Sequence, residues 1–176
     1  MAYKLVGFLA GAALAVAGVG TVAVAADGPN DAQIAHIAYT AGAIDVAAGK
    51  QALAKSHNKA VREFASEMVR DHKAVNDKAL ALVKELKVTP EDNATSQALK
   101  KGADAEMKKL AALNGPAFDK AYAANEVAFH KTVNDALKST LIPSAHNAQL
   151  KALLETGLTL FTEHQHHAEH LASELK

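Results

Sequence analysis

The sequence predicts an all-α protein, and two observations support this prediction. The composition favours helices, since Ala, Leu, Lys and Glu are abundant, aromatic residues make up 5% of the chain, and Cys and Trp are absent. Apolar residues also recur at intervals of three and four over long stretches, which is the spacing of one face of an α-helix. A chain of 176 residues is expected to form one domain.

Residues 1–25 are predicted to be a signal peptide, and residues 26–176 are predicted to form the helical domain. Lys4 precedes an apolar run from Leu5 to Val24, and Ala23-Val24-Ala25 has the small-residue pattern of a cleavage site. The run is long enough to span a bilayer, so an uncleaved membrane anchor is the alternative. Its many Ala and Gly residues favour cleavage, and therefore a periplasmic protein.

Two long helices joined by a tight turn are predicted first. From Asp31 to about Lys55 the apolar positions share one helix face, and Asp31 is predicted to cap the start of this helix. After a turn at residues 56–58, a second apolar stripe begins at Val61 and ends before Pro90. Because the turn is short, these two helices are expected to form an antiparallel hairpin.

Two further long helices are predicted in the second half of the chain. Pro116 fits the first turn of the third long helix, and an interruption at residues 142–144 separates that helix from a final apolar stripe. Residues 88–115 are long enough to run the length of the bundle, and they carry a short helix of their own. We therefore expect a four-helix bundle with a long crossover that carries a short extra helix. A simple up-down bundle with a short fifth helix is the alternative.

Polar residues interrupt the apolar stripe of every predicted long helix. At about 100° per residue, Asp45 falls in the stripe of the first helix, His72 in that of the second and His164 in that of the last. Glu126 and His130, four residues apart, lie on the flank of the third stripe. Each of the long helices is therefore expected to direct a carboxylate or an imidazole towards the interior.

The distance of each residue from its turn indicates its depth in the bundle. Asp45 lies roughly 12 residues before the first turn and His72 roughly 15 after it, so their depths differ by about 5 Å. These two side chains are expected to meet. His130 also lies roughly 12 residues before the second turn, whereas His164 is farther from that turn by about 10 Å. His164 is therefore the candidate whose predicted depth agrees least well with that of the others.

These residue types suit a transition-metal site, because neutral imidazoles and carboxylates are ligands for Zn, Cu, Ni or Fe. The inner candidate ligands are His72, His130, His164, Asp45 and Glu126. The alternative is a hydrogen-bonded core network in which the acidic groups hold the imidazoles and fix the register of the helices.

The last predicted helix carries a second histidine-rich feature. His166 and His170 are four residues apart and therefore neighbours on the helix, with Glu163 on the same outer face and His167 beside them. Such a set is a candidate surface chelate for Cu, Ni or Zn. The alternative is a solvated polar face that binds no metal in the cell.

Other classes of function find little support in the sequence. The formal net charge is zero, so no basic excess is available for nucleic acid. No nucleophile motif or Gly-rich phosphate loop occurs, and thiol chemistry requires the absent Cys. The sequence therefore favours a non-catalytic metal-binding protein that serves buffering or stress protection. A structural or interaction module that binds an envelope protein is second, and an enzyme is third.

At several of these segments the chain resembles a family of exported bacterial proteins of unknown function that is grouped with the ferritin-like bundles. The matching pieces are Phe64-Ala65-Ser66-Glu67-Met68-Val69-Arg70-Asp71-His72, then Phe118-Asp119-Lys120-Ala121-Tyr122 with His130 eight residues on, and His164. The resemblance covers essentially the whole chain after the predicted signal. It implies a ferritin-like bundle located in the cell envelope, and it implies no particular activity.

The chain departs from this family, and from di-iron proteins, at informative positions. The family pattern carries Glu in the first helix where this chain has Asp45, whose side chain is shorter by one methylene. Di-iron ferritin-like proteins need four carboxylates and two Glu-x-x-His pairs. The sole such pair here is Glu163-x-x-His166, which falls mostly on the outer face. Ferroxidase chemistry is therefore not expected.

Overall fold

A computed structural model describes residues 28–175, which are almost entirely helical and contain no strand. The longer helices are α1 (Asp31–Lys55), α2 (Lys59–Glu85), α3 (Ala94–Ala111), α4 (Gly115–Ala136) and α6 (Ala148–Glu174). Between α4 and α6 come a π-helical turn, Leu137–Leu141, and the short helix α5, Ile142–Ser144. The all-α prediction is therefore confirmed.

The predicted signal peptide, residues 1–25, lies outside the described residues. Across residues 28–175, none of the helices combines the length and the apolar character needed to cross a membrane.

Side-chain caps fix where the first helix begins. The side chain of Asn30 accepts a hydrogen bond from the backbone N–H of Gln33, and the Gln33 side chain accepts one from the Asn30 N–H. The prediction that Asp31 caps α1 is therefore wrong. Its carboxylate instead accepts hydrogen bonds from the backbone N–H groups of His146 and Asn147, both at 2.9 Å. Asp31 thus ties the start of the first helix to the start of the last.

Asparagine residues also precede the other longer helices. The side chains of Asn58, Asn93 and Asn147 cap the first turns of α2, α3 and α6. The start of α4 is different, because Gly115 has φ of 55°, a conformation that favours glycine. Pro116 follows in the first turn of α4, as predicted.

The helix from Gly115 continues farther than the sequence predicts. The interruption expected at residues 142–144 is helical, and the chain becomes extended only at Ala145, with φ of −70° and ψ of 119°. Pro143 has no N–H group to donate, and the π-helical turn before it changes the hydrogen-bond pattern there. The turn into α6 therefore comes about three residues later than predicted.

The helices pack in pairs around a common interior. α1 lies against α2, α4 lies against α6, and α6 also contacts α2. α3, which belongs to the connection between α2 and α4, packs against α1. Five longer helices therefore build the described part of the chain, and α1, α2, α4 and α6 supply its buried histidine, aspartate and glutamate residues.

The apolar core falls into two clusters that lie at different levels of these helices. The first contains Phe64, Met68, Phe118 and Tyr122, and the second contains Ile34, Ile37, Leu137, Leu141, Leu150, Leu154 and Phe161. Along α1, Asp45 lies between Ile37 of the second cluster and Ala48 of the first. In α4 and α6, too, the polar residues Glu126, His130 and His164 lie between a member of one cluster and a member of the other. A polar layer therefore lies between the two apolar clusters.

We predict that Asp31→Ala lowers the free energy of unfolding by about 1–3 kcal/mol, because two backbone N–H groups lose a charged acceptor. Urea unfolding of the metal-free protein measures this change. The matched control is Asp104→Ala, which removes an exposed carboxylate from α3 and should change stability by less than about 0.5 kcal/mol. Equal losses in the two variants would contradict the tie between α1 and α6.

Candidate metal centre

The inner cluster, as we define it, consists of five polar side chains in the layer between the apolar clusters. Its members are Asp45 on α1, His72 on α2, Glu126 and His130 on α4, and His164 on α6. Each of these residues is only 1% to 2% exposed. All the residues that the sequence predicted to point inward are therefore buried at this level.

The three imidazoles of the inner cluster contact one another. Ring centroids are 5.5 Å apart for His72 and His130, 5.3 Å for His72 and His164, and 5.6 Å for His130 and His164. Each ring offers one nitrogen that lies within 4.8 Å of those offered by the other two. Asp45, Glu126 and His130 form a second set of three ligand atoms within the same limit. His130 is common to both sets.

Asp45 and His72 lie close together, as the sequence predicted, with 3.4 Å between Asp45 Oδ2 and His72 Nε2.

The depth predicted for His164 is wrong, since its ring contacts that of His72. The later turn explains the difference. His130 precedes the end of α5 by about 14 residues and His164 follows the start of α6 by about 16, so their depths differ by about 3 Å.

Hydrogen bonds select which nitrogen of two of these rings is free. His130 Nδ1 lies 3.0 Å from the backbone carbonyl of Glu126, so Nδ1 carries the proton and donates it. His164 Nε2 lies 3.2 Å from Asp71 Oδ2 and donates to that carboxylate. The other nitrogens, His130 Nε2 and His164 Nδ1, are buried and have no hydrogen-bond partner. In each of these two rings one nitrogen is therefore fixed by a hydrogen bond, and the lone pair of the other nitrogen is free.

His72 is held by stacking. Its ring lies 4.6 Å from that of Phe161, at an interplanar angle of 10°, and neither ring nitrogen has a hydrogen-bond partner. Gly157 leaves room for this arrangement, because a Cβ there would lie 3.3 Å from the Phe161 ring. Leaving a buried polar group unpaired costs about 1–3 kcal/mol. The free nitrogens of these imidazoles could therefore bind a ligand that accepts their lone pairs.

Burial sets the protonation states in this layer. It raises the pKa of Glu126 to about 8, and burial together with the neighbouring Glu126 carboxylate raises the pKa of Asp45 well above its ordinary range. Burial also lowers the pKa of His130 to about 4, and it lowers the pKa of His72 and of His164. At neutral pH the imidazoles are therefore neutral, and the two carboxyl groups hold at least one proton.

Residues 19–171 match a family described as a domain of unknown function, DUF4142. The chain belongs to this family. No curated protein and no solved structure matches the chain. Because the family has no assigned activity, the function of this DUF4142 chain has to be argued from the inner cluster and its surroundings.

Asp71 and Tyr122, which lie in the motifs that carry the family resemblance, were not among the candidate ligands predicted from the sequence, but both lie beside the inner cluster. Asp71 accepts a hydrogen bond from His164, and its carboxylate also binds the Arg70 guanidinium at 2.6 and 2.8 Å, which lowers the pKa of Asp71. Tyr122 has a buried hydroxyl without a partner, and burial, followed by the charges of Glu126 and Asp45, raises its pKa. A sequence signal existed for Asp71, since Glu67 four residues earlier shares its helix face.

The histidine-rich face of α6 is exposed, as its spacing indicated. Glu163, His166, His167 and His170 all lie at the surface. Within residues 28–175, no set of three ligand atoms within 4.8 Å includes any of these four residues. His167 Nδ1 instead lies 2.7 Å from Glu67 Oε2, and its ring packs edge-on against Phe64, with 5.1 Å between centroids.

From the shifted pKa values in the polar layer, we expect the metal-free protein to lose stability both at low pH and at high pH. The folded pKa of each buried imidazole lies below 6.5, so stability is lost as the pH falls below that value. The folded pKa of Glu126 lies above its ordinary 4.5, so its contribution is lost as the pH rises through about 8. Stability should therefore be greatest slightly below neutral pH.

We predict that Glu126→Gln makes the decline between pH 6.5 and 7.5 shallower by about 1 kcal/mol per pH unit, since the folded state no longer takes up that proton. Urea unfolding at a series of pH values measures the slope. Glu63→Gln, at an exposed position of α2, is the matched control and should leave the slope unchanged. A slope in the Glu126→Gln variant equal to that of the unsubstituted protein would contradict a proton held on Glu126.

Proposed function

We propose that this DUF4142 protein is a periplasmic protein that binds a transition-metal ion in its inner cluster, for buffering or protection under stress and without catalytic turnover. One observation carries the proposal. His72, His130 and His164 are buried, have ring nitrogens without hydrogen-bond partners, and bring ligand atoms within 4.8 Å of one another. The periplasmic location rests on the predicted signal peptide.

The donor set fits such an ion with small movements. Tetrahedral nitrogen ligands at about 2.0–2.1 Å from zinc lie about 3.4 Å apart, so atoms within 4.8 Å need shifts on the order of 1 Å. Asp45 or Glu126 supplies an oxygen ligand beside the imidazoles. Nitrogen and oxygen donors of this kind suit Zn, Cu, Ni or Fe.

Contacts behind the ligands support the same proposal. Asp71 holds the outer nitrogen of His164, and the Glu126 carbonyl holds the outer nitrogen of His130. Such partners fix the tautomer of a metal-binding histidine and the direction of its free lone pair. A core hydrogen-bond network, the basis of the alternative structural module, would be expected to satisfy the ring nitrogens that are unpartnered here.

We also propose that the helices form a ferritin-like four-helix bundle. The pairing of α1 with α2 and of α4 with α6, with α3 in the connection between the pairs, supports this arrangement. The inner cluster provides Asp45 and Glu126 as its carboxylates, whereas a di-iron centre uses four carboxylates and two histidines. This difference supports storage or buffering of one ion in place of ferroxidase chemistry.

We predict that a metal at 100 times its dissociation constant stabilises the metal-stripped protein by about 2.7 kcal/mol, provided that it binds only the folded state. Thermal unfolding with Zn, Cu, Ni or Fe(II) measures this gain. His72→Ala should abolish it, whereas His57→Ala, at an exposed turn position, should preserve it.

The double variant His166→Ala/His170→Ala distinguishes the inner cluster from the exposed face of α6. A gain that disappears only in this variant would assign the metal to the surface. A protein stabilised by none of the metals would refute the proposal and favour the interaction module.

We further predict that metal binding at pH 7 releases about one proton for each ion, because a carboxyl group must lose its proton before it can bind the metal. Calorimetric titration in two buffers of different ionisation enthalpy counts the protons. Glu126→Gln should release fewer protons than Glu63→Gln, which serves as the charge-matched control. Equal release in the two variants would show that Glu126 does not supply the proton.

A further inference from the structure

A second group of ligand atoms lies between α2 and α6, beside the inner cluster. Glu67, Asp71 and His164 each offer an atom within 4.8 Å of those offered by the other two. Glu67 and Asp71 are four residues apart and therefore share one face of α2. Their side chains are 31% and 17% exposed, whereas the His164 side chain is 2% exposed. We call these three residues the outer cluster.

We propose that the outer cluster is a second metal site, at which a divalent transition-metal ion first binds before it passes to the inner cluster. This proposal rests on the proposed function of the inner cluster. It assigns to Glu67 and Asp71 the direct binding of the incoming ion.

The shared residue His164 connects the two clusters. Its Nε2 lies 3.2 Å from Asp71 Oδ2, on the side of the outer cluster. Its Nδ1 is buried without a partner, and the His164 ring contacts the rings of His72 and His130. The two nitrogens of an imidazole lie on different edges of one ring, and only the nitrogen without the proton binds an ion. The tautomer with the proton on Nδ1 therefore offers Nε2 to the outer ion, and return of that proton to Nε2 frees Nδ1 for the inner ion.

The apolar packing makes this the natural route to the inner cluster. Both apolar clusters border the polar layer, so an ion that moved along the bundle through them would lose its hydration among apolar side chains. The side chains between α2 and α6 provide polar atoms instead. Exposure rises outward from 2% for His164 through 17% for Asp71 and 31% for Glu67 to 46% for His167. An ion can therefore exchange water for protein ligands in steps.

The charges of the outer cluster suit transient binding. Two carboxylates balance the charge of a divalent ion, and His167, with Nδ1 2.7 Å from Glu67 Oε2, is placed to add a further nitrogen. The Arg70 guanidinium occupies both oxygens of Asp71 and is 68% exposed, so it can move into solvent when an ion arrives. Competition from Arg70 weakens the outer site, which favours release of the ion to the uncharged imidazoles inside.

Glu67 provides the most specific test. Asp71 also orients His164, so a substitution of Asp71 would disturb the inner cluster even if no ion ever bound outside. Glu67 makes no hydrogen bond to His164 among the described residues, and its partners are His167 and Arg70. A purely structural Glu67 would therefore leave the rate of metal loading unchanged.

The experiment mixes Co(II) with the metal-free protein and follows the absorption of the bound ion, first at equilibrium and then by stopped flow. We expect Glu67→Gln to slow loading by about tenfold relative to Glu63→Gln, while the equilibrium dissociation constant changes by less than about threefold. Glu63→Gln makes the same change of charge on α2, one turn away at a side chain that is 66% exposed. This control corrects for the long-range electrostatic attraction between the protein and the incoming ion. His167→Ala, the second variant, should also slow loading.

The outcomes separate this proposal from the function on which it rests. Equal loading rates for Glu67→Gln and Glu63→Gln, with normal equilibrium binding, would overturn the outer site and leave the inner site intact. A large loss of equilibrium affinity in Glu67→Gln would also overturn it, because Glu67 would then belong to the final site. Absence of Co(II) binding to the unsubstituted protein at equilibrium would refute metal binding by both clusters.

Discussion

The structure depends on one constraint, which is that five ionisable side chains are buried together in a single layer of an apolar core. Each of the helices α1, α2, α4 and α6 carries this layer between two apolar segments, so a rotation that exposed Asp45 or His72 would also expose neighbouring core residues. Burial of uncompensated charge is strongly unfavourable, and the layer is therefore kept close to neutral by shifted pKa values. Protons held by Asp45 and Glu126 and lost from the imidazoles have the same physical origin.

Because burial causes all of these pKa shifts, the stability of the protein and its proposed metal binding are linked. Neutral imidazoles are the form that binds a metal, so the environment that depresses their pKa also prepares the ligands. Protonated carboxyl groups have the opposite effect, because an ion must displace a proton before Asp45 or Glu126 can bind it. A charged ion in the layer can be compensated by releasing those protons, which leaves carboxylates beside it. The metal-free layer and the loaded layer can therefore both be close to neutral, and the surrounding helices need not rearrange to accommodate the change.

Most of the fold and much of the inner cluster could be predicted from the sequence, because both follow from helical periodicity. Asp45, His72 and His164 interrupt apolar stripes, and 100° per residue is enough to place them inside. The depth of His164 could not be predicted in the same way. It depended on how the chain accommodates Pro143, and a π-helical turn that prolongs the helix has no simple periodic signal. The roles of Asp71 and Tyr122 depend on contacts between helices, which a pattern along one helix does not contain.

The closure of the inner cluster argues for storage over turnover. A catalytic metal site keeps a ligand position open for water or substrate, whereas here three imidazoles form one set of close ligand atoms, and two carboxyl groups form a second set with one of those imidazoles. An apolar cavity of about 590 Å³ does lie nearby, but Phe161 both lines it and stacks on His72. Most of the residues that line this cavity are apolar, so a polar substrate would find few polar contacts beside His72. The approach between α2 and α6 is lined by Glu67, Asp71 and His167, whose carboxylate and imidazole groups are of the types that bind metal ions, so the small species best suited to it is the ion itself.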